Sequence, residues 1–95
     1  KSTHFSMGTF SEIMRFARGY GIAELIVSES DRLAGKTLAE SGLTSSDILV
    51  LAIRRGHGMI PTPKASDTIK PEDKLVCFGP LNNIALVVGP EKEEA

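Results

Sequence analysis

The chain has 95 residues, 41% of them hydrophobic and 24% charged, with a formal net charge of -1. That describes one globular domain with a modest core, and the near-neutral balance offers no basic face for nucleic acid. A single cysteine, Cys77, excludes an intrachain disulfide and any metal site of clustered thiolates, and no apolar run approaches the ~18 residues that cross a bilayer.

The chain begins at Lys1 rather than methionine and shows no signal peptide, which reads as a piece of a longer protein. Lys1–Gly8, with His4, is polar and is expected to be a frayed end or the tail of a linker. Thr9 followed by Glu12 has the capping-box spacing. Phe10, Ile13, Met14 and Ala17 follow at helical intervals, so a short helix is expected, stopped by Gly19 and Gly21. This segment, 1–21, is read as a linker and connector helix. It packs either on its own domain or on an upstream domain or second subunit.

Ile22–Ser28 predicts a strand with Ala23, Leu25 and Val27 on one face and Ile22, Glu24 and Ile26 on the other. A polar connection, Glu29 to Arg32, leads to a short helix over Gly35–Glu40, closed by Gly42, with Leu33, Leu38 and Leu43 as its buried positions. Ser45-Ser46-Asp47 makes the next turn.

The stretch from Ile48 to Ile53 (ILVLAI) is unbroken apolar and rich in branched residues. It is too short for a typical helix and predicts a central strand buried on both faces. Arg54 and Arg55 end it, Gly56-His57-Gly58 turns the chain, and Met59-Ile60-Pro61 returns as an edge strand, because proline cannot donate to a ladder. In the loop that follows, Ile69 is the one large apolar residue and is expected to plug the core. Lys74–Phe78 is a further strand, with Leu75 and Cys77 on one face and Val76 and Phe78 on the other. Leu81–Val88 fits strand by composition and helix by the spacing of Leu81, Ile84, Ala85 and Val88. Helix is preferred because Pro80 suits a first turn. Residues 89–95 are expected to form an acidic, disordered tail.

Among the polar residues, Arg54, Arg55 and His57 are the candidate ligand-binding group. Two guanidiniums at a strand end suit a phosphate or carboxylate, and a histidine in the turn adds a pH-dependent charge. The plainer alternative is that the arginines are solvated or pair with Glu24, Asp47 or Asp73. Alternation along a strand also sends Arg54 and Arg55 to opposite faces. Gly35-Lys36-Thr37 has the ending of a phosphate-binding loop, but position 30 is Ser30 where that motif needs glycine. His4, His57 and Cys77 are too scattered for zinc. Ser28, Ser30 and Thr37 have no histidine placed to activate them. Cys77 reads as a small core residue. The residues point to a domain that is not an enzyme.

The order of elements, carried by Leu33 to Leu38 (LAGKTL), Ile48 to Arg55 with Pro61, and Ile69 to Gly79 (IKPEDKLVCFG), resembles the TrkA-C domain, also called RCK-C, the C-terminal regulatory domain of potassium channels and transporters. The likeness covers 22–88. It implies a small α+β domain of βαβββα order, here preceded by the short N-terminal helix, that pairs as a homodimer. It further implies a small effector such as a nucleotide or cyclic di-AMP near the seam of the pair, held in a largely apolar cleft with a few polar side chains. The partner would be a membrane transport domain of the same or another chain, with this part at the inner face of the cell membrane. A ligand-free assembly module is the alternative.

Overall fold

A computed structural model describes residues 9–87. The readings for Lys1–Gly8, for Val88 and for the 89–95 tail lie outside the described residues. Five antiparallel strands form one sheet in the order β1-β2-β5-β3-β4, from β1 (Thr9–Arg15), β2 (Tyr20–Ile26), β3 (Leu49–Arg55), β4 (Gly58–Pro61) and β5 (Lys74–Pro80). Among the described residues two α-helices accompany it, α1 (Leu38–Ser41) and α2 (Leu81–Val87). From β2 onward the order is βαβββα, as the resemblance implies.

One face of the sheet carries the core. Ala23, Leu25 and Val27 of the β2 segment, Leu75 and Cys77 of β5, and Ile53 of β3 are buried there. They are covered by Leu33 and Leu43 around α1, by Leu81 and Ile84 of α2, and by Ile69, which is 0% exposed. The strand alternations read from 22–28 and 74–78 hold. The loop after β4 is a strap. Ile69 N–H donates to the Lys36 carbonyl and Gly35 N–H donates to the Ile69 carbonyl, tying the loop to the approach of α1 at the point where Ile69 enters the core. Gly79 lacks a side chain for a reason of space: a Cβ there would lie 2.6 Å from the Asp47 carbonyl oxygen.

The expected N-terminal helix is corrected to a strand. Residues 9–15 pair antiparallel with β2, and Ala17–Gly19 form a tight turn in which Arg18 and Gly19 have φ of 64° and 79°. The ladder explains the misreading. Its register slips between Glu12 and Met14, so Ile13 is an extra residue in a β-bulge. Phe10 packs towards the core beside Leu25, and Met14 lies opposite Ile22 on the other face. One inserted residue turns a period of two into spacings of three and four, which is the helical signature.

The apolar run Ile48–Ile53 is corrected in the same way. It is not a central strand buried on both faces. β5 holds the centre, β3 lies beside it, and Leu49 is 59% exposed. A second register slip, between Val50 and Ala52, bulges β3 at Leu51. Ile48 and Val50 therefore face the core before the bulge, and Ile53 after it. Two short half-buried stretches of opposite parity, spliced together, read as one continuous apolar run.

Candidate functional site

The β3–β4 hairpin positions the basic corner. Arg55 pairs with Gly58, so Gly56 and His57 make the turn, with Gly56 at a φ of 58° that favours glycine. Arg54 and Arg55 leave on opposite faces, as alternation requires. Arg54 reaches across β5 on the open face and ion-pairs with Glu24 of β2 through Nη1. Arg55 turns to the core side. Its Nε and Nη2 donate to the two carboxylate oxygens of Asp73 at 2.8 and 2.7 Å, and Nη2 also donates to the Thr68 carbonyl. His57 is exposed at the tip of the turn. The three candidate residues do not converge on one site.

Asp73 is 1% exposed. Burial by itself pushes its carboxyl up, but hydrogen bonds from the Arg55 guanidinium and the Lys70 amide outweigh that and hold it below the usual carboxylate range. The same hydrogen bond to Asp73 raises the Arg55 guanidinium further against the opposing pull of its own burial. The Asp73 carbonyl accepts from Val27 N–H, so one residue ties the end of the strap to β2 and to β3. This is a structural clamp, and it commits Arg55.

Gly35-Lys36-Thr37 is committed as well. Thr37 caps α1 in a full capping box: its hydroxyl accepts from Glu40 N–H, and the Glu40 carboxylate accepts from Thr37 N–H. Those bonds hold the Glu40 carboxyl below its ordinary value, the Thr37 amide first among them. Gly35, Leu38 and Ala39 donate to the carbonyls of Ile69, Asp67 and Ala65, and Lys36 donates to that of Leu33. Every amide from Gly35 to Glu40 is thus used within the chain, and none is left to cradle a phosphate.

Beside α1 and β3 lies a groove of about 180 Å³ lined chiefly by Leu38, Leu43, Ile48, Val50 and Pro63. Ser41 and Thr44 supply its hydroxyls. Ser41 is buried and satisfied: its Oγ donates to the Leu38 carbonyl and accepts from Leu43 N–H. The sequence marked Leu38 and Leu43 as core and did not show that a strap starting near Pro63 would leave a groove beside them. Cys77 is buried, and burial pushes its thiol up to about 12, so it stays protonated and unreactive at neutral pH. Among the described residues, no group of three His, Cys, Asp or Glu is placed to hold a metal ion, and no helix is long and apolar enough to cross a membrane.

Sequence reasoning also missed Lys74. Its partner across the β3–β5 ladder is Arg54, so two cations stand opposed on the open face. Only the register, which the bulge at Leu51 sets, brings them together.

An antiparallel sheet with a strap, a short capped helix and a closing helix is the architecture of the TrkA-C domain, and the model of that family matches residues 22–88. The chain belongs to the TrkA-C domain family. It is 46% identical over 76 residues to a probable alpha-L-glutamate ligase of Rhodopirellula baltica, covering 80% of this chain and 18% of that protein. Among solved structures, it is similar to the crystal structure of the GsuK RCK domain, with 25% identity, a TM-score of 0.73, and coverage of 92% of this chain and 20% of that one. It is likewise similar to the GsuK channel bound to NAD, with 27% identity, a TM-score of 0.73, and coverage of 92% and 17%. The chain thus spans about a fifth of the length of the proteins it matches.

Proposed function

We propose that this chain is a regulatory domain that senses a small ligand and dimerises, and that it biases flux through a potassium or other cation transport part at the inner face of the membrane. It is not itself catalytic. Kinship with the GsuK RCK domain carries this reading. The NAD bound to the GsuK channel favours a nucleotide effector. The groove beside α1 has the makeup that the resemblance leads one to expect, apolar with two hydroxyls. At about 180 Å³ it is smaller than the ~300 Å³ at which small-molecule sites begin. A second copy packed over the groove would add the further wall that a nucleotide or cyclic di-AMP needs. The ligand would act by binding one dimer arrangement better than another, and coupling of this kind is typically ~1–3 kcal/mol.

Thermal-shift screening with NAD, cyclic di-AMP, other nucleotides and monovalent and divalent cations tests sensing. One compound should raise the melting temperature saturably. Light scattering across a concentration series should show a dimer. A monomer at every concentration, unmoved by any compound, rejects the reading. A stable dimer unmoved by every compound favours the alternative of a ligand-free assembly module.

The identity to a probable alpha-L-glutamate ligase supports a second setting. There the same sensing domain would regulate an attached enzyme instead of a gate. Joining this domain in turn to a ligase part and to a channel part, and asking which responds to the hit compound, separates the two.

A further inference from the structure

We infer that Arg54 and Lys74 form an oxyanion-binding site on the open face of the sheet, taking the phosphate or carboxylate group of a small ligand. This rests on the sensing reading above and gives it a location apart from the groove. The first observation is the ladder: Arg54 of β3 stands directly opposite Lys74 of β5, and both leave on the face away from the core. Like charges directly opposed across strands destabilise a sheet. Two cations kept in that position are accounted for if a bound anion offsets their repulsion.

The second observation is what these cations lack. Glu24 engages Arg54 through Nη1 alone, so Nε and Nη2 have no partner among the described residues. Lys74 is half-buried, and its ammonium has neither a hydrogen bond nor an ion pair among them. Arg55 cannot join the site, because Asp73 holds it on the other face.

The third is space. A cleft of about 370 Å³ lies against this pair, lined by Ile26, Arg54, Gly56, Glu72 and Lys74. That is within the ~300–1,000 Å³ of small-molecule sites. A guanidinium presents two parallel donors to a carboxylate or phosphate, and an ammonium adds a point charge without a fixed direction. Glu24 and Glu72 set the limit on the ligand. With two carboxylates near two cations, the site favours one small anionic group over a polyanion.

Amide chemical shifts during titration test this. Inorganic phosphate and L-glutamate are added separately to the chain at low ionic strength. At least one should move the amides of Arg54, Gly56 and Lys74 saturably, and the tighter of the two identifies phosphate or carboxylate as the group read. Arg54→Gln and Lys74→Gln should each weaken that binding at least tenfold, while Lys36→Gln on the opposite side leaves it unchanged. Both Gln variants change outward-facing residues, and unchanged melting temperatures verify that they fold. No saturable movement with either anion at tens of millimolar, or binding that both variants retain, overturns the site. If NAD or cyclic di-AMP still stabilises the chain in that case, the sensing reading stands and only its location here is wrong. If nothing binds at all, both fail.

Discussion

Arg54 and Arg55 are adjacent in sequence and end on opposite faces of one sheet, and the contrast between those faces organises the molecule. On the core face Arg55 meets a buried carboxylate with two matched hydrogen bonds, beneath a strap whose backbone is tied to α1. On the open face Arg54 has one partner, a like-charged neighbour and a cleft. Phe78 lies there too, in contact with the rings of Phe16 and Tyr20 at 6.0 and 5.9 Å between centroids. Phe16 and Tyr20 remain exposed beside it. The core face spends its polar groups on holding the fold, and the open face keeps some available. The teaching is that a basic residue's role follows from the face it reaches, which depends on parity and bulges more than on its neighbours in sequence.

The sharpest way to break the comparison is to empty the core face. Ile69→Ala removes the anchor of the strap from a site that is 0% exposed. It should cost about 3–4 kcal/mol, in the range of buried isoleucine truncations, read as a fall in the urea midpoint with an unchanged slope. If the strap were a loose surface loop, the loss would stay within about 0.5 kcal/mol, as for ordinary surface substitutions.

Next comes the clamp. Arg55→Ala leaves the buried Asp73 carboxylate without its partner. The expected loss is about 3 kcal/mol, at the low end for breaking a buried pair. The low end applies because the Arg55 side chain is still 34% exposed. The pair also gives a pH signature. Asp73 titrates lower folded than unfolded, so its contribution to stability is fully present above the unfolded value of ~3.9. It is lost as pH falls through the lower, folded value. Asp73→Asn should therefore be less stable than the parent at pH 7, and its stability should fall less steeply below pH ~4. Parallel acid-unfolding curves would remove the clamp from the account.

Thr37→Ala should have a smaller effect, about 1 kcal/mol for the loss of an N-cap, measured by the same urea midpoints. Thr9→Ala should not show a cap effect, because residues 9–15 are strand. The two sites share one pattern, Thr-x-x-Glu, at Thr9 to Glu12 and at Thr37 to Glu40. That identity marks the limit of what was legible. At Thr37 the pattern is a true capping box, in a segment read from sequence only as a short helix stopped by Gly42. It misled at the N-terminus, where the free edge of β2 captured the segment and a bulge at Ile13 disguised the strand. Alternation in β2 and β5, the edge proline of β4, the Ile69 plug and the closing helix were all readable, because each depends on local period or on proline's missing donor. The two register slips were not, since a bulge is decided by what lies across the ladder. The candidate site suffered from the same blindness. Arg54 and Arg55 were grouped although parity already separated them, and Lys74 drew no notice because its place opposite Arg54 exists only in the register.

The smallest predicted effect bears most directly on function. Arg54→Ala should change stability by less than about 1 kcal/mol, because an exposed ion pair contributes little and is screened by salt. The sign is informative. Removing Arg54 loses its attraction to Glu24 and relieves its repulsion of Lys74 across the ladder. Lys74→Ala relieves the same repulsion and breaks no ion pair of its own. The Lys74 variant should therefore be the more stable of the two, and raising the salt concentration should narrow the difference. If Lys74→Ala instead destabilises the chain more than Arg54→Ala, Lys74 contributes to the fold through its methylene stem, and the open face holds its cations for packing. If the predicted order holds, the charge of Lys74 contributes less to the fold than that of Arg54, as the proposed binding role requires.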